Sequence, residues 1–196
     1  MSAAVIMKRI AEASPRFKAR MAGVFYLLTM LTGAVNEGLV RGRLGFGVNL
    51  AAGIVEVSGM VAVTLFFYDI FKPANRNLSL LAAAFNLVGL TLESVQVLNI
   101  GLAFHGFYCL LVGYLMLRST FLPRILFAPM AFAGLVWLTF LSPPLADYLS
   151  PYNLASAVLV EGMVMIWFLV MGVNVQRWKE QSSAAGERRS QRAMPA

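Results

Sequence analysis

Residues 78–117 read LSLLAAAFNLVGLTLESVQVLNIGLAFHGFYCLLVGYLML and contain no proline, lysine or arginine. A hydrocarbon core of about 30 Å is crossed by roughly 20 apolar residues in a helix. The run is therefore about two crossings long and must turn within itself. Asn99 and Gly101 offer the corner, with Gln96 and His105 flanking it in a polar region, which predicts one span over 78–98 and another over 101–118.

Working outward, the same ruler predicts spans over 46–70 and 20–39 on one side and over 122–141 and 153–174 on the other. Segments 42–47, 72–77 and 142–152 are rich in Gly, Pro, Asn and Ser and read as turns between them. The expected fold is all-α, an integral membrane bundle of six transmembrane helices over 20–175. A basic cytoplasmic segment (1–19) precedes it, and a basic tail (176–196) whose Gln, Ser, Glu and Arg predict disorder follows. The first apolar run starts only near Met21 and is long enough to span, so no cleavable signal is expected.

Composition agrees. Hydrophobic residues make up 59% of the 196 positions, mean hydropathy is +0.73 and only 13% of residues are charged, against about a quarter in soluble domains. A soluble fold of this size could not hide that much apolar surface, so the lipid bilayer is the expected partner. The net charge of +7 would raise the question of nucleic acid in a soluble domain. Here the basic residues fall in short clusters between uncharged stretches, so no nucleic-acid partner is expected. With the amino terminus inside, fourteen of the sixteen Lys and Arg lie on the cytoplasmic side, and only Arg41 and Arg43 face out. That asymmetry predicts an even number of spans with both termini cytoplasmic.

Several segments in order resemble one known family. They are Ala19-Arg20-Met21-Ala22-Gly23 with Tyr26-Leu27, Lys72-Pro73-Ala74-Asn75-Arg76, Gly113-Tyr114-Leu115 with Arg118-Ser119, and Leu122-Pro123-Arg124-Ile125-Leu126. Ser142-Pro143-Pro144-Leu145, Tyr148-Leu149-Ser150-Pro151-Tyr152, Glu161 and Gly172-Val173-Asn174 with Arg177-Trp178 continue the series. Together they resemble the bacterial membrane family called domain of unknown function 4386, over most of residues 15–180. Members usually carry a longer segment between the first two helices and an extra stretch between the third and fourth, and this chain has neither. The resemblance implies a polytopic bacterial inner-membrane protein and supplies no catalytic residues.

Within the predicted spans the informative residues are acidic. Glu56, Glu93 and Glu161 fall in the second, third and sixth, and Glu37 near the outer end of the first, while the spans carry no Lys or Arg at that depth. An ionisable side chain at a helix centre costs roughly 2.5–3.5 kcal/mol on insertion scales, so it faces a protein interior or water. Helical spacing sets Glu56 on a stripe with Asn49, Gly53 and Gly59, and Glu93 on one with Asn86, Gly89 and Gln96. His105, Tyr108 and Cys109 share a face of the fourth span, and Tyr26, Gly33 and Glu37 a face of the first. These faces predict a polar cavity open toward the outside, whose carboxylates are either neutral or hold a proton or mobile cation. Ligand-binding candidates are thus Glu37, Glu56, Asn86, Glu93, Gln96, His105, Tyr108 and Glu161.

Other chemistries lack their residues. One cysteine and one histidine fall short of the usual zinc set and exclude bis-histidine haem ligation within the chain, so no metal or cofactor is expected. Cys109 reads as a small buried hydrophobe. There is no Gly-rich phosphate loop and no nucleophile elbow. Three functions fit: a small transporter or binding protein for a proton, cation or lipophilic molecule; a structural or accessory membrane protein, an oligomer included, whose acids stitch helices together; and a membrane enzyme on a lipid-soluble substrate with Glu93 as general acid or base.

Overall fold

A segment lying in lipid satisfies its backbone N–H and C=O groups internally only as a helix or a closed barrel. In the computed structural model, which describes residues 13–34, 46–95 and 98–193, the described residues form helices and turns with no strand among them. In chain order they are α1 (Pro15–Ala34), α2 (Phe46–Phe71), α3 (Arg76–Ser94), α4 (Leu98–Arg118), α5 (Phe127–Leu138), α6 (Pro143–Leu149), α7 (Tyr152–Val170) and α8 (Val175–Ala193). Single 3₁₀ turns at Arg124–Leu126 and Thr139–Leu141 extend α5 at both ends.

Five described stretches are long and apolar enough to cross a bilayer: Leu50–Phe71, Arg76–Ser94, Asn99–Arg118, Arg124–Leu141 and Tyr152–Val170. The chain is on this ground a multi-pass membrane protein. The described part of α1 opens with Arg16, Lys18 and Arg20, and the span predicted over 20–39 continues into residues outside those described.

The helices close a ring. Each of α1 to α4 packs against the next, and α7 packs against both α5 and α1. At one end of the ring Asp69 of α2 pairs with Lys18 of α1 and with Lys72, and the Arg20 guanidinium donates to the Val170 carbonyl of α7 at 3.1 Å. Between α2 and α3 the turn is fixed by Asn75, whose side chain accepts from the Leu78 N–H at 3.1 Å and caps α3. Aromatic side chains fill the ring near this end, with the Phe67 and Phe168 rings 4.9 Å apart. Large apolar side chains such as Leu65, Leu81, Leu135 and Leu159 point outward from the ring, where lipid solvates them.

Three expectations need correction. Asn99 and Gly101 do not form the corner between the third and fourth spans: α3 ends at Ser94 and α4 has begun by Leu98. Gly101 instead lets the two helices touch, because a Cβ there would lie 2.9 Å from the Gly89 carbonyl oxygen and 2.5 Å from Glu93 Cγ. The last span ends at Val170 rather than 174. Gly172, at φ +66°, turns the chain in the left-handed conformation that suits glycine. The tail is helical as far as Ala193 rather than disordered, because it is docked: Asn174 caps it by accepting from the Arg177 N–H at 3.1 Å, and Trp178 Nε1 donates to the Ile70 carbonyl at 2.8 Å. Gln181 Oε1 accepts from both the N–H and the hydroxyl of Thr120 at 2.9 Å.

Candidate functional site

Glu161 sits midway along α7 and is 4% exposed. Its oxygens are met from four sides. The Tyr26 hydroxyl donates to Oε2 and Trp137 Nε1 donates to Oε1. The Cys109 thiol reaches Oε1 at 3.6 Å, and His105 Nε2 lies 3.6 Å from the same oxygen. None of the described Lys and Arg residues pairs with Glu161. A buried carboxylate is tolerated when such donors replace its hydration.

The network continues beyond the histidine. His105 Nδ1 is 2.8 Å from Asn86 Oδ1, Asn86 Nδ2 donates to Thr64 Oγ1 at 2.6 Å, and the Thr64 hydroxyl donates to the Met60 carbonyl at 2.8 Å. This order fixes the protons. The single hydroxyl proton of Thr64 goes to Met60, so Thr64 accepts from Asn86, and Asn86 must offer its oxygen to His105. The network thus assigns a proton to Nδ1. Nε2 is left facing Glu161, as a lone pair in neutral histidine and as an N–H in the cation. Tyr26, Thr64, Asn86, His105 with Cys109, Trp137 and Glu161 come from α1, α2, α3, α4, α5 and α7, so every helix of the ring contributes to one polar centre.

Among the residues predicted for the site, the structure brings together Asn86, His105 and Glu161. The Tyr108 ring lies 5.5 Å from the His105 ring at a tilt of 43°, its hydroxyl finds no partner among the described residues, and the residue lines a crevice too narrow for water beside Thr64 and Ser79. Glu56 is half-buried beside Gly33 of α1. Glu93, also half-buried, packs its stem against Gly101. Glu37 and Gln96 lie outside the described residues. The outer end of the predicted cavity, to which Glu37 and Gln96 belong, therefore lies outside the described residues as well.

Sequence reasoning missed four participants. Thr64 and Trp137 gave no signal of joining an acid, whereas Tyr26 and Cys109 each lay on a face expected to line the polar cavity, Cys109 four residues after His105 on one helix face, and neither was named as a candidate. The ligand atoms of His105, Cys109 and Glu161 all lie within 4.8 Å of one another, and all three residues are buried.

Fold and centre together define a class, a multi-pass helical membrane protein built around a buried histidine–carboxylate centre. No protein-family model, curated protein or solved structure matches the chain.

Proposed function

We propose that this is a bacterial inner-membrane protein of six transmembrane helices with both termini cytoplasmic, akin to the family of domain of unknown function 4386. In this reading it is a small binding protein or transporter for a cation, the proton first of all, with Glu161 and His105 as the acceptor. The position of α1 along α2 and α7 supports the sixth span. The clustering of Lys18, Lys72 and Arg20 at one end of the ring supports placing the amino terminus inside.

The observation that carries the proton reading is His105 Nε2 facing Glu161 Oε1 at 3.6 Å with no Lys or Arg of the described residues beside them. Two bare lone pairs and a net negative charge are costly there, so the pair keeps one proton, on the imidazole or on the carboxyl. Moving that proton between them needs no change of fold. Infrared difference spectroscopy on the reconstituted protein tests this. A carboxylic C=O band should come and go with pH in the wild type and be missing from Glu161→Gln, and proteoliposomes should lose proton flux in the same variant. Unchanged spectra and flux in Glu161→Gln sink the proposal.

One observation favours the structural alternative: both oxygens of Glu161 are already engaged by Tyr26, Trp137 and Cys109. If the acid only stitches helices, Glu161→Gln lowers the melting temperature while the wild type shows no pH-dependent carboxylic band.

A further inference from the structure

We infer that the centre of the ring is a site for a divalent transition metal of the zinc and cobalt type, ligated by His105 Nε2, Cys109 Sγ and Glu161 Oε1. The inference deepens the cation reading of the same centre and rests on it.

The donor geometry comes first. Zinc binds thiolate at about 2.3 Å and imidazole nitrogen or carboxylate oxygen at about 2.0–2.2 Å, in a tetrahedral shell. Two such ligands at the tetrahedral angle stand about 3.3–3.6 Å apart. Here sulfur and oxygen are 3.6 Å apart, nitrogen and oxygen are 3.6 Å apart, and all three atoms fall within 4.8 Å of one another. The set sits on two rigid helices, with His105 and Cys109 four residues apart on α4 and Glu161 on the facing α7.

The surrounding bonds fit metal ligation independently. Ligating histidines donate their other ring N–H to an oxygen, which fixes the tautomer. Here the Nδ1–H donates to Asn86 Oδ1, whose amide is itself held by Thr64, and Nε2 is left to bind. Ligating carboxylates are themselves hydrogen-bonded, as Glu161 is by Tyr26 and Trp137. The mixed nitrogen, sulfur and oxygen set suits borderline-soft ions rather than magnesium or calcium. Three protein ligands leave a fourth position open.

Charge decides how the ion enters. Without metal the centre is neutral, either as imidazolium with carboxylate and thiol or as neutral imidazole with carboxylic acid and thiol. A dication bound by thiolate, carboxylate and neutral imidazole is also neutral. From either starting form, binding one ion releases one proton from Cys109 and one from the His105–Glu161 pair. The centre exchanges one divalent ion for about two protons, with no net charge placed in the membrane interior.

The experiment titrates the full-length protein in lipid nanodiscs with Co²⁺ in weakly buffered solution, following the thiolate-to-cobalt charge-transfer absorption and proton release together. We expect one ion per chain, that absorption band, and about two protons per ion. Cys109→Ser should abolish the band, and Asn86→Ala should weaken binding about 10- to 100-fold while leaving the band in place. Cys109→Ala, which removes the donor with little change of volume, guards against misfolding of the serine variant. Absence of the band in the wild type, or its survival in both cysteine variants, overturns the site. If no metal binds but the pH-dependent carboxylic band of Glu161 remains, this inference fails and the proton reading stands. If both are missing, the two fall together.

Discussion

Replacing Tyr26 by Phe removes one of the donors that stand in for water around Glu161 and leaves Oε2 bare. Interhelical hydrogen bonds in membranes average about 0.6 kcal/mol and reach about 1.7 kcal/mol, so Tyr26→Phe should destabilise the fold by about that much and lower the thermal midpoint in detergent. Tyr108→Phe should not. Its hydroxyl is equally buried but unpartnered among the described residues, and losing it leaves the midpoint unchanged or raised. At this scale the sequence was half legible. Glu161 and His105 stood out because ionisable residues are expensive in apolar segments. Tyr26, Trp137 and Thr64 are ordinary in such segments and become partners only when helices distant in sequence meet. Cys109 was read as a hydrophobe for the same reason, since a count of ligands along the chain says nothing of which face they share across helices.

Helix contacts that depend on missing side chains are the most exposed to change. A methyl added at Gly89 would come within 2.9 Å of the Gly101 carbonyl oxygen, which is backbone and cannot swing aside. Gly89→Ala should therefore separate α3 from α4 and cost about 1–3 kcal/mol, measurable as a lower melting temperature. At Gly53 nothing among the described residues lies within 4 Å of an added Cβ. Gly53→Ala should be neutral or should stabilise by up to about 1 kcal/mol through helix propensity. The helices themselves were legible because hydropathy runs record them directly. The α3–α4 corner was misplaced because Gly101 looks like a turn residue and is a contact residue. The order of the tail was invisible because its composition is polar throughout, while its docking rests on Trp178, Gln181 and the Asn174 cap. Removing Trp178 together with Gln181 should expose the segment after Gly172 to protease and leave the ring intact.

For the whole molecule, reporters that work only in the cytoplasm should be active when fused to either end, and a silent carboxy-terminal fusion would refute the six-span topology. The ring also has a seam with an order in time. The first helix and the last of the ring are neighbours in space, and the Tyr26–Glu161 bond joins residues 135 positions apart. α1 is synthesised long before α7, so Tyr26 and His105 lack their shared acid until residue 161 has been added. Chains that stop before residue 161 lack the acid that joins Tyr26 of the first helix to the last helix of the ring, and only a chain that reaches it can close that seam.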